Sequence, residues 1–494
     1  MQNLIYGMLA VPLLFVLAAL SRRLSNNVLH ALNRLTAAIV SIIFSYMLAM
    51  RKPGQIFSEG YFYLDALSFW MLLIVVTLYF ASSWVSKSYL VREDKRGYLA
   101  RTPDQIGRYY ALFQLFVWTM LAVLTLKNLG LMWVGIEATT LVSALLVSFK
   151  FTRSALEATW KYIMVCTVGI CLALLGTIIL YYAQFAALGT EKALNWPWLS
   201  QNAGLLNPSL VKLSFLFIFV GYGTKIGLAP MHTWLPDAYS EAPSLISGLL
   251  SGALCTCALY VLIRNLIIAV PAVGVSYVTT LFSFFALLTV AVAVPFVVVQ
   301  RDIKRLLAYS SMENIGIMLV GLSVFTSISL GATLLHMANH ALIKFVLFYI
   351  AGTIVQEFQT KNMMRIHGLS QEAPHTATFL LLGMIGILGM PPFGLFYSKF
   401  SIIMSLFAGG HYLLGTVMVT LLAGVLIGIL YHVMRMLSGR AKRKACSDLL
   451  DHTDAPLLAA MLFASMLLGV FWQQIPVLNN LLVEASRIIA GGVQ

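Results

Sequence analysis

Lys225 is a cation inside an apolar stretch, directly before a run of residues through which a helix cannot continue. The segment GYGTKIGLAPMHTWLPDAYSEAP places Gly227 and Pro230 after it, and a proline removes a backbone hydrogen bond and clashes with the preceding turn. In a bilayer, broken backbone persists only where protein or a water-filled cavity surrounds it, and a cation beside it is usually functional. We therefore predict ion or proton chemistry at Lys225. The alternative is a lysine whose amine extends to the membrane interface.

Glu137 lies in the middle of another apolar stretch, LMWVGIEATTLVSALL. A carboxylate at that depth is rare unless it is paired or faces water. Burial favours its neutral form and a nearby lysine favours its charged form, so a Glu137–Lys225 pair could exchange protons. A purely structural buried ion pair is the alternative. Lys161 either tunes this pair or only extends to the interface.

His336, His340 and Lys344 recur at i and i+4 positions in LLHMANHALIKFVLFYIAG, so they share one helix face. Histidine titrates nearest physiological pH, which favours a hydrated proton relay along this face. A metal or haem site that uses the two histidines is an alternative, as is a packing role for His336. Lys399 follows a second break, GILGMPPFGLFYSKF, and would end the relay.

Four further polar residues have two interpretations each. Glu313 is either a carboxylate of the relay or a capping residue near the end of its span. His232, Asp237 and Glu241 follow the first break. They either form the cytoplasmic mouth of a proton path or cap and tie down that loop.

The composition is that of a polytopic membrane protein. Of 494 residues, 60% are hydrophobic and only 10% charged, against about 25% charged in globular domains. The net charge of +14 comes from cations in short loops between apolar stretches, where they set the membrane orientation. We therefore expect no nucleic acid as a partner. The five cysteines form no CxxC pair, and no dinucleotide or phosphate loop follows a strand, so no cofactor or metal is expected in this chain. The first apolar segment indicates a membrane helix rather than a cleaved signal.

About fourteen apolar stretches are long enough to cross a bilayer. They lie near residues 3–20, 28–50, 64–86, 109–126, 128–149, 158–183, 209–230, 243–265, 273–299, 306–324, 328–355, 376–406, 410–437 and 455–474. Most basic loop residues follow odd-numbered spans, which predicts that both termini are outside. Arg264 is assigned to an outer loop, and Asp65, at the outer edge of the third span, is predicted to be structural.

The two interrupted spans lie five spans apart, which is typical of repeated halves with ion sites at the breaks. This pattern predicts four parts. Residues 1–108 hold the first three helices and a cytoplasmic loop, 109–265 the first repeat, 266–437 the second repeat, and 438–494 the last helix and a tail.

The motifs KIGLAPMHTWLPDAYSEAP, AYSSMENIGIM and GMPPFGLFYSKF, with the histidine-rich eleventh span, resemble the antiporter-like proton-translocating subunits of respiratory complex I. That family includes membrane-bound hydrogenases and multisubunit cation/proton antiporters. IEATTL, EATWKYIMVCTVGI and MENIG are most similar to the F component of hydrogenase-4 type complexes.

The resemblance implies an all-α protein with fourteen helices in which two inverted five-helix repeats contain broken helices 7 and 12. It also implies a Glu–Lys pair, matched by Glu137 and Lys225, and a terminal residue, matched by Lys399. A lysine or histidine of the eighth helix normally links the halves. Thr256 stands there instead, so water with its hydroxyl, or His336, would have to bridge.

The implied function is proton translocation within an energy-converting oxidoreductase complex, with no catalytic residue in this chain. Iron–sulfur clusters and a nickel–iron centre (or flavin) are expected in partner subunits. The partners would be antiporter-like and small membrane subunits, with redox subunits on the cytoplasmic side of a bacterial or archaeal inner membrane. The alternatives are a subunit of a sodium/proton antiporter without a redox partner, and a scaffold whose charges only hold helices together.

Overall fold

The computed structural model describes residues 1–21, 24–95, 97, 105–439 and 450–491, and these residues are almost entirely helical. The helices are α1 (Gln2–Leu20), α2 (Asn26–Met50), α3 (Ala66–Lys95), α4 (Gln105–Thr125), α5 (Leu129–Val147), α6 (Arg153–Leu188), α7 (Trp196–Gln201), α8 (Pro208–Ile226), α9 (Trp234–Glu241), α10 (Ser244–Leu249), α11 (Cys255–Val273), α12 (Val275–Val299), α13 (Ile303–Ser323), α14 (Ser327–Phe358), α15 (Leu369–Glu372), α16 (Pro374–Leu388), α17 (Gly394–Ala408), α18 (Tyr412–Leu437), α19 (Ala455–Val470) and α20 (Pro476–Ala490). Strands β1 (Phe57–Glu59) and β2 (Phe62–Leu64) form an antiparallel hairpin.

Twelve helical segments in the described part of the chain are long and apolar enough to span a membrane. In one of them, a π-helical turn (Leu250–Leu254) joins α10 to α11. The helices α16, α17 and α19 are apolar but shorter, with 15 or 16 residues each. The all-helical membrane fold is therefore confirmed, with twelve candidate spans in the described residues where about fourteen were expected.

The first break follows α8, where Gly227 ends the helix in a left-handed conformation with φ of 100°. Its amide and that of Leu228 both donate to Gly223 O at 2.9 Å, which closes the last turn. The indole of Trp234 donates to Thr224 O at 2.9 Å. Protein groups thus satisfy the backbone that the break exposes, as a low-dielectric membrane interior requires.

The second break lies between α16 and α17, and its backbone is satisfied in a different way. Gly389 ends α16 with φ of 75°. Lys399, one helix further on, donates from Nζ to Ile387 O at 3.1 Å and to Leu388 O at 3.5 Å. The lysine predicted to follow this break therefore folds back over it.

Three segments form the interior of the bundle, and the polar residues of α14 lie on one of them. All of the apolar window of α10–α11 and of α13 is buried inside the chain, and 83% of that of α14 is buried. By contrast, only about a third of α12 and of α18 is buried, so those helices present most of their surface to lipid or partners. The predicted relay on α14 therefore runs through the centre of the protein.

The assignment of Arg264 to an outer loop is wrong. Its side chain is fully buried on α11, where Nη1 and Nη2 donate to the two carboxylate oxygens of Asp65 at 2.6 Å each. The guanidinium also lies 4.1 Å from the ring centroid of Trp196. Since the pair joins the start of α3 to α11, the structural role predicted for Asp65 agrees with its position.

Several basic loop residues that entered the topology argument lie outside the described residues. They are Arg22, Arg23, Arg96, Arg101, Arg440, Lys442, Arg443 and Lys444.

Candidate functional site: two buried lysine clusters joined by a polar helix

Lys225 is fully buried at the end of α8, where its Nζ donates to two hydroxyls. Thr140 Oγ1 lies at 2.8 Å and Tyr162 OH at 2.7 Å, and the amine also lies 4.8 Å from the centroid of the Tyr162 ring. The Tyr162 hydroxyl contacts Ser143 Oγ at 2.6 Å. These groups, which we call the first cluster, hold a buried amine with neutral oxygen acceptors.

Close packing of α6 against α8 places the members of the first cluster. A side chain at Gly221 would lie 2.5 Å from Ala173 N and 2.6 Å from Gly169 O. Only glycine therefore permits this approach, which brings Tyr162 of α6 within reach of Lys225. The ring of Tyr162 also packs against that of Trp234 at 4.7 Å, which ties the cluster to the segment after the break.

Glu137 does not form the direct ion pair that the sequence suggested. No nitrogen–oxygen distance of 4.0 Å or less joins it to Lys225. Thr140, which binds Lys225, lies one turn along α5 from Glu137, and Oε2 of Glu137 has no hydrogen-bond partner among the described residues. The residue is part-exposed, close to the outward-facing Val134 and Leu141. The carboxylate therefore lies between the first cluster and the outside of this chain.

His336, His340 and Lys344 all lie on α14, and all three side chains are buried. His336 Nδ1 lies 2.9 Å from Ser398 Oγ and Nε2 lies 3.1 Å from Asn314 Oδ1. Lys344 Nζ donates to Leu307 O at 2.6 Å and to Ser310 Oγ. Since protein atoms contact both ring nitrogens of His336, the interpretation of the two histidines as a metal pair finds no support in this geometry.

Glu313 and Lys399 form a buried ion pair, with Oε1 and Nζ 2.8 Å apart. Asn314 Nδ2 donates to the other carboxylate oxygen at 2.5 Å, and Asn314 in turn contacts His336. These residues and Ser398 are the second cluster. The capping interpretation of Glu313 is wrong, because Asp302 caps α13 and Glu313 lies three turns further on.

The residues after the first break are held by ion pairs at the end of the bundle. Asp237 accepts from Lys161 at 3.0 Å and from Arg305 at 2.6 Å, so it joins α6 to α13. Lys161 also binds Glu157 at 2.7 Å and does not form an ion pair with Glu137, so its predicted tuning role has no contact to support it. His232 is buried with Nδ1 unpartnered among the described residues.

Glu241 accepts hydrogen bonds from Lys361 at 2.9 Å and Ser154 at 3.0 Å. Burial raises the pKa of this carboxyl, but the Lys361 charge and these hydrogen bonds outweigh burial and hold the pKa below its ordinary value. Glu241 lines a polar cavity of about 210 Å³ together with Glu93 and Lys304. Both interpretations of this loop therefore retain a structural basis, since the residue ties down the loop and also faces a cavity.

Sequence reasoning missed the neutral members of both clusters. Thr140 and Tyr162 bind Lys225, and Asn314 and Ser398 bind His336. Two of these four residues could have been identified from the sequence, because Asn314 directly follows Glu313 and Ser398 directly precedes Lys399. Thr256, at the position expected for a central charge, is buried and donates to Gly252 O at 2.6 Å.

Comparisons with known proteins show the family of this chain. Residues 127–426 match the family model described as NADH:quinone oxidoreductase/Mrp antiporter, TM. The chain is 36% identical over 374 residues to the hydrogenase-4 component F homolog of Methylacidiphilum infernorum, covering 75% of this chain and 77% of that protein. This similarity confirms the predicted likeness to the F component of hydrogenase-4 type complexes.

Two solved structures share the fold. A chain of the membrane-bound sulfane sulfur reductase, an archaeal respiratory membrane complex, superposes with a TM-score of 0.85 at 23% identity, over 99% of both chains. A chain of the Mrp complex from Dietzia sp. gives a TM-score of 0.78 at 18% identity, over 100% of this chain and 98% of that one. At these identities the likeness shows the fold alone.

Proposed function

Because this chain belongs to the NADH:quinone oxidoreductase/Mrp antiporter transmembrane family, we propose that it translocates protons as a subunit of an energy-converting oxidoreductase complex. The single observation that carries the proposal is the pair of buried lysines, each held at a helix break, with the polar face of α14 between them. Lys225 is fully buried and Lys399 is 7% exposed. Buried cations at such depth are costly, so their retention favours a transport role.

The contacts in each cluster suit proton transfer. In the second cluster, Lys399, Glu313, Asn314 and His336 are joined by successive contacts of 2.8, 2.5 and 3.1 Å. A change of charge at one group alters the energy of the others, because unit charges about 4 Å apart interact by several kcal/mol at intermediate dielectric. A proton that arrives at one end of the cluster therefore favours release at the other.

The position of Glu137 supports a membrane partner. The residue is part-exposed, with Oε2 buried and unpartnered among the described residues, and it lies close to the exposed Leu131, Val134, Leu141 and Leu145 of α5. Ionisable groups in membrane segments almost always face protein or water rather than lipid. A neighbouring antiporter-like or small membrane subunit would cover this face, and its conformational or charge changes would reach Lys225 through Glu137 and Thr140.

The redox chemistry is assigned to partners. Iron–sulfur clusters and a nickel–iron centre, or a flavin, would lie in peripheral subunits on the cytoplasmic side. The complex would lie in the inner membrane of a bacterium or archaeon, with both termini of this chain outside. The division into residues 1–108, 109–265, 266–437 and 438–494, with two inverted repeats, belongs to the same proposal.

A sodium/proton antiporter without a redox partner is the second candidate, since the matching family model is described by both NADH:quinone oxidoreductase and the Mrp antiporter. The two candidates predict different companions. Gentle purification from native membranes should recover iron–sulfur proteins with a nickel–iron or NADH-oxidising subunit. Recovery with small membrane subunits alone would favour the antiporter.

The transport role is tested with Lys225→Ala and Glu137→Ala in the complete complex reconstituted into vesicles. Each variant should assemble but lose proton translocation coupled to the redox reaction. Lys212→Ala is the matched control, because Lys212 lies on the same helix but is exposed, with its amine 5.0 Å from the centroid of the Tyr277 ring. Normal coupling in either test variant would refute the proposal.

A further inference from the structure

A groove open to the side of the bundle runs along α3 between α2 and the α19–α20 pair, and we call it the α2–α3 groove. It has a volume of about 390 Å³. Phe44, Val76 and Ala81 form its buried floor, and Ser45 lies exposed at its rim. Since α2 and α3 are both long and apolar enough to span a membrane, the groove faces the interior of the bilayer.

The lining of the α2–α3 groove is suited to hydrocarbon. Among the described residues, no charged side chain lines it, and its polar side chains are the hydroxyls of Ser41, Ser45 and Thr77. Ser41 Oγ donates to Ala37 O at 2.8 Å and Thr77 Oγ1 donates to Leu73 O at 2.7 Å. Two of the three hydroxyls are therefore already bonded within their own helices. A polar ligand would find few partners here, whereas an apolar chain would bury apolar surface.

Arg34 of α2 lies at one end of this groove and is held there by Trp84 of α3. Its Nε and Nη2 donate to Trp84 O at 3.1 and 2.7 Å, and its guanidinium carbon lies 5.1 Å from the centroid of the Trp84 ring. The Trp84 ring stacks on that of Phe80 at 5.7 Å, and Phe80 lines the groove. Successive contacts therefore lead from the apolar groove to a fixed cation.

The charge at this end of the groove is available to an anion from outside the chain. In the part of the chain that the structure describes, no carboxylate oxygen lies within 4.0 Å of the Arg34 guanidinium. Lys87, on the next turn of α3, is exposed and adds a second cation. The carboxylate of Asp454 near this turn already accepts hydrogen bonds from Ser88 and Tyr349. A negative charge at Arg34 would therefore meet two cations.

The distance from the cation to the far end of the groove matches one leaflet of a bilayer. Leu73, the α3 residue of the lining farthest from that end, lies eleven residues before Trp84, which is about 16 Å along a helix. One leaflet supplies about half of a hydrocarbon core that is roughly 30 Å thick. Trp84 is 41% exposed, and tryptophan is enriched at the level of lipid headgroups. An acyl chain in the groove would therefore bring its headgroup to Arg34.

A membrane helix of a partner subunit suits the α2–α3 groove less well. Such a helix crosses the whole hydrocarbon core, whereas the groove extends from its basic end over about half of that depth. The helix would also have to place a carboxylate at Arg34, where the phosphate of a lipid lies at the right level without further adjustment.

We propose that the α2–α3 groove binds an anionic phospholipid, with one acyl chain along the α3 segment from Leu73 to Phe80 and the phosphate on Arg34 and Lys87. A guanidinium binds two phosphate oxygens in parallel, and basic sites between membrane helices recognise such headgroups. A lipid that carries its own ammonium group would bring a third cation next to these two and should bind more weakly. This site adds a ligand to the proposed function and does not depend on proton translocation.

The structural test is a density map of the complete complex extracted with its native lipids. We expect elongated density in the groove that ends in a phosphate within 2.7–3.2 Å of a guanidinium nitrogen of Arg34. A helix of a partner subunit in the groove would overturn the proposal. So would an empty groove in a map that resolves lipids elsewhere on the complex.

The binding test uses phosphatidylglycerol with a photoactivatable acyl chain, added to the delipidated complex and located by mass spectrometry of cross-linked peptides. We expect cross-links to the α3 segment from Leu73 to Phe80, displaced by unlabelled phosphatidylglycerol and much less by phosphatidylcholine. Arg34→Ala should lower their yield about tenfold at limiting lipid, as expected for one lost hydrogen bond to a charged group. Arg435→Ala is the matched control, since Arg435 is also part-exposed, donates to Tyr431 OH at 3.2 Å and does not line the groove.

A second pair of variants blocks the groove without a change of charge. Ser45→Phe places a ring in the groove, whereas Ile42→Phe enlarges a residue of α2 that is 67% exposed and lies outside the lining. The cross-links should be lost in Ser45→Phe and kept in Ile42→Phe. If Arg34→Ala and Ser45→Phe cross-link as strongly as their controls, the lipid site is wrong. Either result leaves the transport role to the Lys225 and Glu137 variants.

Discussion

The hydroxyl of Tyr162 provides the sharpest test of the first cluster. Tyr162→Phe removes one of the two acceptors of the Lys225 amine and leaves Thr140 as the other. The phenylalanine ring keeps the packing against Trp234 and the ring contact with the amine. The substitution therefore removes the hydrogen bond to the Lys225 amine and the contact with Ser143, and it changes little of the shape.

The expected magnitude follows from the bond to the Lys225 amine, because the Ser143 hydroxyl keeps its bond to Thr139 O. A hydrogen bond to a charged group contributes about 1.5–3 kcal/mol, and about 1.4 kcal/mol corresponds to tenfold in an equilibrium constant. Because Thr140 and the aromatic ring remain, we expect the lower end of the range. The rate of proton translocation should then fall about tenfold, measured with a pH-sensitive dye in vesicles that contain the complete complex.

Tyr109→Phe is the control for this measurement. Tyr109 is fully buried on α4, and its hydroxyl has no hydrogen-bond partner among the described residues. Removal of that hydroxyl should therefore leave translocation unchanged. The reasoning is refuted if Tyr162→Phe and Tyr109→Phe translocate protons at the same rate.

Three other substitutions test the second break, the buried ion pair and the tied loop. Gly389→Ala places a Cβ 2.8 Å from Lys399 Cδ, so translocation should fall several-fold in the vesicle assay. Asp65→Asn leaves the fully buried Arg264 without its carboxylate partner, so the free energy of unfolding should fall by about 3–5 kcal/mol in a denaturant titration. Glu241→Gln should cost about 1 kcal/mol in the same titration at neutral pH; since the folded-state pKa of Glu241 is lowered, this difference should disappear as the pH falls below about 4.3.

Each of these substitutions has a control or a contradicting result. Gly410 has φ of 78° but nothing within 4 Å of an added Cβ, so Gly410→Ala carries the same backbone strain without the lysine contact. Equal losses in the two glycine variants would show that Lys399 is not displaced. Glu59→Gln, on the exposed strand β1, should leave stability unchanged where Asp65→Asn does not. A Glu241→Gln difference that persists in acid would contradict the assigned pKa.

The sequence predicted the helix breaks and their lysines because glycine and proline act locally. Proline removes a helix hydrogen bond and glycine tolerates a left-handed turn, so the two together favour a break, whereas Pro12 and Pro295 alone lie inside α1 and α12. A lysine next to such a break is easily recognised in a segment without other charges. The period of four residues on α14 was predictable for the same reason. These features depend on neighbours in the chain, and the structure places all of them in the interior.

The residues that the sequence analysis missed or assigned wrongly make their contacts with partners that are distant in the chain. Arg264 was assigned to a loop because a cation at the end of an apolar stretch is typical of a topology signal, whereas its partner lies 199 residues away. Glu313 had two interpretations until Lys399, 86 residues further on, was found 2.8 Å away. Periodicity and composition carry no information about such contacts. The division into repeats remains a prediction.

The two breaks differ in which groups bind their free backbone carbonyls, and this difference affects proton release from the two lysines. At the first break an indole binds the free carbonyl, so Lys225 can lose its proton without disturbing the main chain. At the second break, the Lys399 amine itself donates hydrogen bonds to two backbone carbonyls and to Glu313. A neutral amine has only two hydrogens, so proton release there must free one of these three acceptors. Proton release in the second half therefore rearranges the bonds of Lys399 to the broken backbone or to Glu313, whereas in the first half the Lys225 amine binds two side-chain hydroxyls.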